Sequence, residues 1–304
     1  MKKVFLILLS FTISNISLNA QKIDSLFSAA FLKYQSGDYK GSVDEYAKII
    51  SLKPDYYDAY FNRAISYDKM GEYKKALSDF TKIVSMQPAA DAYLNRGQVY
   101  EHLGKYEKAV EDYSKALELN TSFAFAFLDR AEAYANMDQY DLAISDYENV
   151  IALYPKYAPA YFRLGTVYDE MQELEKAILT YNIAIRYDST DAKTFYNRGY
   201  DFDELNKNKM ALKDYSKAIS LDTTYTDAYF NRAFIYDELE MYEEAIADYT
   251  HVIRLEEDAS DAYFNRGLAK ASLGRHAASC DDIWIAATLG DKTAKKYYKV
   301  NCGR

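Results

Sequence analysis

Five times along the chain an asparagine is followed at once by an arginine: Asn62 by Arg63, Asn95 by Arg96, Asn197 by Arg198, Asn231 by Arg232 and Asn265 by Arg266. The two side chains suit different chemistry. A primary amide presents two donors and one acceptor oxygen, the inventory that grips the main chain of an extended peptide whatever its side chains. The same asparagine can instead cap or bridge to neighbouring backbone, a local role open to it at any helix. A guanidinium presents a planar fork that takes a carboxylate through two parallel hydrogen bonds. An Asp stands sixteen residues after each of these arginines, as in Arg63 with Asp79 and Arg232 with Asp248, and also after Arg130 at Asp146. The fifth segment of this kind lacks both partners together, with Leu164 and Thr180, whereas the first keeps Glu45 opposite Ala29. That paired gain and loss within one chain reads as structural ion pairs.

Neither residue set performs acid–base or nucleophilic chemistry. The sequence has no phosphate-cradling glycine loop, nucleophile elbow or paired-histidine metal motif, and His102, His251 and His276 are isolated from each other and from both cysteines. The reading is therefore non-enzymatic, with no catalytic residues, no cofactor and no metal.

The elements that must position these residues follow from a repeat. Ser42, Ala76, Ala109, Ala143, Ala177, Ala211, Ala245 and Ser279 are equivalent, at spacings of 34 residues with a single 33 before Ala109. Numbering each repeat so that these residues fall at position 20, apolar residues recur at 4, 8, 11, 17, 20, 24 and 27. Steps of three and four predict two helices per repeat, here called A and B. Position 8 is always Gly or Ala, which points to close approach of the B helix near position 20. Of the 32 tyrosines, 21 occupy positions 4, 11, 17 or 24, so most of that compositional bias is expected in the core.

Tyr at 4, Gly or Ala at 8, Tyr at 11, Ala at 20, Tyr or Phe at 24, Ala at 27 and Pro near 32 resemble the tetratricopeptide repeat. The resemblance spans eight consecutive units. It implies an all-α fold, an α-solenoid wound as a right-handed superhelix, with A-helix positions 2, 5, 9 and 12 on its concave surface. The array is expected over 21–290, with a C-terminal capping helix and tail over 291–304. The departures Lys33 and Lys270 in the terminal repeats suit end caps. On the implied groove lie Asn62, Asn95, Asn197, Asn231 and Asn265, together with exposed phenylalanines at position 5, among them Phe61, Phe230 and Phe264. Asp129 and Arg163 break the amide series and supply charges at its middle. The resemblance implies a ligand of the protein or peptide class, since related arrays use an asparagine ladder on extended peptides.

Charge narrows the partner. The chain carries a formal −9, which falls to −11 if Lys2 and Lys3 are removed with a leader. Nucleic acid and anionic membranes bind through Lys and Arg, so a neutral or basic partner is expected. Residues 1–20 read as a cleavable secretory signal: Lys2 and Lys3, an apolar stretch from Val4 to Ile16, and Ala20 before the cut. An exported protein, periplasmic or secreted, can oxidise its two cysteines. Cys280 lies ten residues before Gly290 and Cys302 twelve after it. Antiparallel helices rising about 1.5 Å per residue bring them together, which predicts a disulfide. The function expected is a non-catalytic interaction scaffold of the cell envelope that takes an extended segment in the groove; the alternative is a structural spacer or assembly factor acting through its convex face or ends.

Overall fold

The computed structural model describes residues 20–303, so the expected leader lies, apart from Ala20, outside the described residues. All regular elements among the described residues are α-helices, and they group into two compact units that divide after Leu153. In the first unit the A helices are α1 (20–35), α3 (Tyr57–Lys69), α5 (Ala90–His102) and α7 (Ala124–Ala135). Their B partners are α2 (Tyr39–Leu52), α4 (Tyr73–Met86), α6 (Tyr106–Leu119) and α8 (Tyr140–Leu153). In the second unit the A helices are α9 (Ala158–Glu170), α11 (Ala192–Glu204), α13 (Thr226–Glu238) and α15 (Ser260–Ser272). These pair with α10 (Leu174–Tyr187), α12 (Asn208–Leu221), α14 (Tyr242–Leu255) and α16 (His276–Thr288), and α17 (Lys292–Asn301) closes the chain.

Seven of the eight repeats are held by one large ring at position 24 of the B helix, and the last has Ile283 there. Tyr46, Phe80, Tyr113, Tyr181, Tyr215 and Tyr249 have side chains withdrawn from solvent. Burying one ring of that size stabilises by about 2–3 kcal/mol, which is why the repeat reserves the position. The close approach at position 8 is made against this ring at Gly97, Gly165 and Gly199, whereas a Cβ on Gly267 would meet Ile283 and, as the sequence suggested, residue 20, at 3.2 Å from the Ser279 carbonyl oxygen. A Cβ placed on Gly97 would lie 2.5 Å from Cε1 of Tyr113, and one on Gly165 at 2.5 Å from Cε1 of Tyr181.

The A helix ends in a residue of left-handed backbone, after which the chain donates back to the carbonyl at position 11. In the second repeat Gly71 has φ +72° and the Glu72 N–H donates to Tyr67 O at 2.9 Å. This closing bond satisfies a carbonyl that the helix end leaves open. Four repeats place a non-glycine residue in that conformation: Asp138, Gln172, Asn206 and Glu240.

At the C-terminus the Asp291 carboxylate accepts from the N–H groups of Thr293 and Ala294 and so caps α17. Ala294 is buried against Ile283 and Ala286. Cys280 and Cys302 are joined by a disulfide, with Cα atoms 5.6 Å apart.

Candidate functional site

The six arginines at position 7 face their own B helix. Each makes two parallel bonds to Asp at position 23, as Arg63 does with Asp79 at 2.8 and 2.8 Å and Arg232 with Asp248 at 2.7 and 2.8 Å. The rings at positions 4 and 11 flank the guanidinium: Arg232 lies 5.7 Å from the Tyr229 centroid and 5.8 Å from that of Tyr236. A third donor reaches the preceding B helix, where Ser114, Asn182, Ser216 and Thr250 accept from Arg130, Arg198, Arg232 and Arg266. One side chain therefore ties its own helix pair and the preceding repeat, and at 14–19% exposure it is largely removed from ligands. The first repeat has no arginine here, but Lys33 at position 11 bonds Glu45 at 2.7 Å. In the last repeat Lys270 joins Arg266 on Asp282. The two lysines that depart from the repeat pattern thus serve the same link.

The asparagines of position 6 lie half-buried on the A-helix face and have two fates. Asn62 and Asn95 donate back to their own helix, to Asp58 O and Asp91 O at 2.8 Å each. Asn231 donates to the Tyr196 hydroxyl of the preceding A helix at 3.0 Å and Asn197 to the Tyr181 hydroxyl at 3.5 Å, whereas the Tyr249 hydroxyl near Asn265 has no hydrogen-bond partner among the described residues. Asn95 follows Phe61 and Phe80, which offer no hydroxyl. The phenylalanines of position 5, expected to be exposed, are half-buried instead. Phe61 packs edge-on to Phe80 at 5.8 Å, Phe230 to Tyr249 at 5.6 Å and Phe264 to Tyr297 at 6.0 Å. Phe61 and Phe230 lean on the buried ring of their own B helix, and Phe264 on the half-buried Tyr297 of α17, so only the outer edge of each ring is available.

Carboxylates gather on the same face. In the first unit Asp129 accepts from Gln98 at 2.8 Å, and Glu101 accepts from the Tyr113 hydroxyl at 2.7 Å. Burial pushes the Asp129 carboxyl up to about 6 and the Glu101 carboxyl up to about 7, the latter opposed by the Tyr113 bond. In the second unit Asp201 is fully buried, and burial, with the nearby Asp169 charge, raises its carboxyl to about 8. Arg163 is exposed on α9. Among the described residues, no group of three or more His, Cys, Asp or Glu could hold a metal ion. Sequence reasoning gave no sign of the Glu101–Tyr113 bond or of the Asp169–Asp201 proximity, because both join residues that no repeat position links.

Two recesses open on the A-helix face, one in each unit. The first, of about 520 Å³, is lined by Tyr57, Asp58, Phe61, Gln87, Ala89 and Asp91. The second, of about 290 Å³, is walled by Phe162, Ala184 and Thr194 with Asp188 and Asp191. Both thus combine a ring at position 5 with two carboxylates.

Models of the tetratricopeptide repeat match residues 57–89, 90–123, 128–192 and 226–258. The chain belongs to the tetratricopeptide repeat family. Solved structures of this family share its fold. The C-terminal part of a tetratricopeptide repeat protein from Cytophaga hutchinsonii superposes with a TM-score of 0.66 at 18% identity, covering 79% of this chain and 98% of that one. YrrB, described as a tetratricopeptide protein with an unusual peptide-binding site, gives 0.56 at 22% identity over 63% of this chain and 99% of its own. MamA from Desulfovibrio magneticus gives 0.52 at 25% identity over 56% and 96%. Among curated proteins none matches the chain.

Proposed function

We infer that this tetratricopeptide repeat protein is a non-catalytic scaffold that holds an extended segment of a partner protein against its A-helix faces. The observation that carries the reading is the recess on that face in each unit, built from a half-buried phenylalanine and carboxylates. The likeness to YrrB, a tetratricopeptide protein with an unusual peptide-binding site, points the same way. Asn62 and Asn95 each commit one amide hydrogen to their own helix, which leaves a second N–H and the oxygen for a ligand backbone. Asp129 and Arg163 supply charges for side-chain discrimination. The net charge of −9 favours a neutral or basic segment over nucleic acid. Export to an oxidising compartment, periplasmic or extracellular, is supported by the leader-like residues and by the Cys280 to Cys302 bond.

A second reading, assembly through the ends, rests on Trp284 and Val300, which are 53% and 75% exposed on the terminal helices.

Panning a library of random dodecapeptides against residues 21–304 separates the two. Recovered peptides should lose binding to a folded variant carrying Asn→Ala at positions 62, 95, 197, 231 and 265, and keep it in Trp284→Ser. Loss in Trp284→Ser alone, or no enrichment at all, would sink the A-face reading. Alkaline phosphatase fused after Arg304 should be active in cells; an inactive full-length fusion would argue against export.

A further inference from the structure

The heptad DAYFNRA at 58–64 is followed one repeat later by DAYLNRG, and the copy at 227–233 by DAYFNRG at 261–267. Consecutive copies bring together Asp at position 2, an aromatic ring at position 5 and the next repeat's Asp at position 2, as do Asp24, Phe27 and Asp58 at the start of the array. In the first unit the structure shows what this makes. Asp58 and Asp91 are exposed in the first turns of α3 and α5, on either side of a recess that contains Phe61 and Tyr57. The Phe61 and Tyr57 rings stack at 6.1 Å with an interplanar angle of 18°, forming a flat aromatic wall. The charges of both Asp58 and Asp91 act on the Tyr57 hydroxyl, which places the two carboxylates beside that wall.

We propose that this recess takes a basic side chain, lysine or arginine, of the partner segment. The inference rests on the peptide-binding reading above and names its side-chain chemistry. An aliphatic stem lies against the Tyr57 and Phe61 rings, a cation over a ring gains from its quadrupole, and two carboxylates at the rim neutralise the charge. Negatively charged neighbours without a bound cation repel each other, so a cationic ligand is the occupant that relieves the arrangement. Asp227, Phe230 and Asp261 repeat the constellation at the same register positions in the second unit. The recess at Phe162 is a weaker version, because its carboxylates already serve the fold. Asp188 accepts from Thr190, and Asp191 caps α11 through Lys193 and Thr194. Acids in a first helical turn also favour the helix dipole, a role that needs no aromatic wall and affects stability, not affinity.

The test uses the full chain from residue 21 and three fluorescein-labelled decapeptides that alternate Ala with Lys, Ser or Glu. Anisotropy titrations should rank Lys well above Ser, with Glu unbound. Asp58→Asn with Asp91→Asn should weaken the Lys peptide at least tenfold and flatten its salt dependence, while circular dichroism stays unchanged. Glu107→Gln with Glu111→Gln, two exposed acids on α6, removes the same charge from the first unit and should leave affinity within twofold. Phe61→Leu should weaken the Lys peptide without altering the salt slope. Equal loss in the α6 variant would reduce the effect to general attraction and overturn the proposal. A Ser peptide bound as tightly as Lys, and lost on the five asparagine changes, would overturn it while leaving the peptide scaffold standing; no peptide bound at all would remove both.

Discussion

Asp201 of α11 buries both carboxylate oxygens close to Asp169 of α9, in a position that Val99, Val167 and Ile235 fill in other repeats. Nothing in the repeat asks for an acid there, and an unsatisfied buried polar group costs stability. The folded carboxyl keeps its proton up to about 8, whereas an unfolded aspartate releases it near 4. Between those values the native state binds the extra proton, so this group's contribution to stability falls as pH rises. Asp201→Val removes that loss. It should stabilise the fold by on the order of 2–3 kcal/mol at pH 8 and by clearly less at pH 5. Urea denaturation at the two pH values checks this, and an equal gain at both would mean the carboxyl is not protonated in the fold.

Arg232 and Asp248 can be tested against a control that the chain itself provides. The fifth repeat has Leu164 and Thr180 at the same positions, both buried, and the Thr180 hydroxyl satisfies itself on Lys176 O at 2.8 Å. Asp248→Thr alone strands a largely buried guanidinium and should cost about 3 kcal/mol, as should Arg232→Leu. The double variant should cost about 1 kcal/mol, giving a coupling of several kcal/mol in a double-mutant cycle. Additive losses would show that the pair does not act as a unit.

How much of this was legible from sequence differs by residue. The helices were, because a step of three and four repeated eight times leaves no other secondary structure. The arginine link was as well, since Arg and Asp appear and vanish together. Its flanking rings were not read as such: tyrosines at positions 4 and 11 looked like inter-helix packing, yet they sit one turn to either side of the guanidinium. Lys33 and Lys270 read only as end-cap departures, because a pairing from position 11 requires knowing that positions 11 and 23 face each other. The fate of each asparagine was hidden for a similar reason. Asn231 meets a hydroxyl because Tyr196 stands where the preceding repeats have Phe61 or Phe162, a contact between residues 35 apart. Asp169 and Asp201 lie on successive A helices, where the period alone gives no distance.

The left-handed residue between helices A and B gives a third prediction. Gln172 and Glu240, with φ of 61° and 58°, hold a conformation that crowds Cβ against the following carbonyl, while Gly37, Gly71, Gly104 and Gly274 hold its equivalent without that cost. Gln172→Gly and Glu240→Gly should each stabilise by about 0.5–1 kcal/mol, the relief of strain exceeding the entropy that glycine adds to the unfolded chain. Gly71→Gln should destabilise by about 1 kcal/mol. Thermal unfolding of the three variants decides the sign, and destabilisation by the glycine changes would show that side-chain contacts of Gln172 and Glu240 outweigh backbone strain.

The bond between Cys280 and Cys302 joins α16 to the end of α17, and only a short stretch of α17 is otherwise anchored. Ala294 is its one buried residue, with Tyr297 and Tyr298 packed half-buried against the same cluster. Ten residues of helix with so small an apolar face do not persist in water on their own. Closing a loop of 22 residues contributes about 3 kcal/mol by restricting the unfolded chain. In Cys302→Ser that contribution should be lost first where it acts. Hydrogen exchange should show α17 opening while α12 and α14, held by the Arg198 and Arg232 links, keep their protection. Dithiothreitol should reproduce the change in the unaltered chain and add nothing to the variant. Uniform loss of protection through the second unit would instead mean that the disulfide supports the whole helix stack, and that α17 is part of its core and not a latched cap.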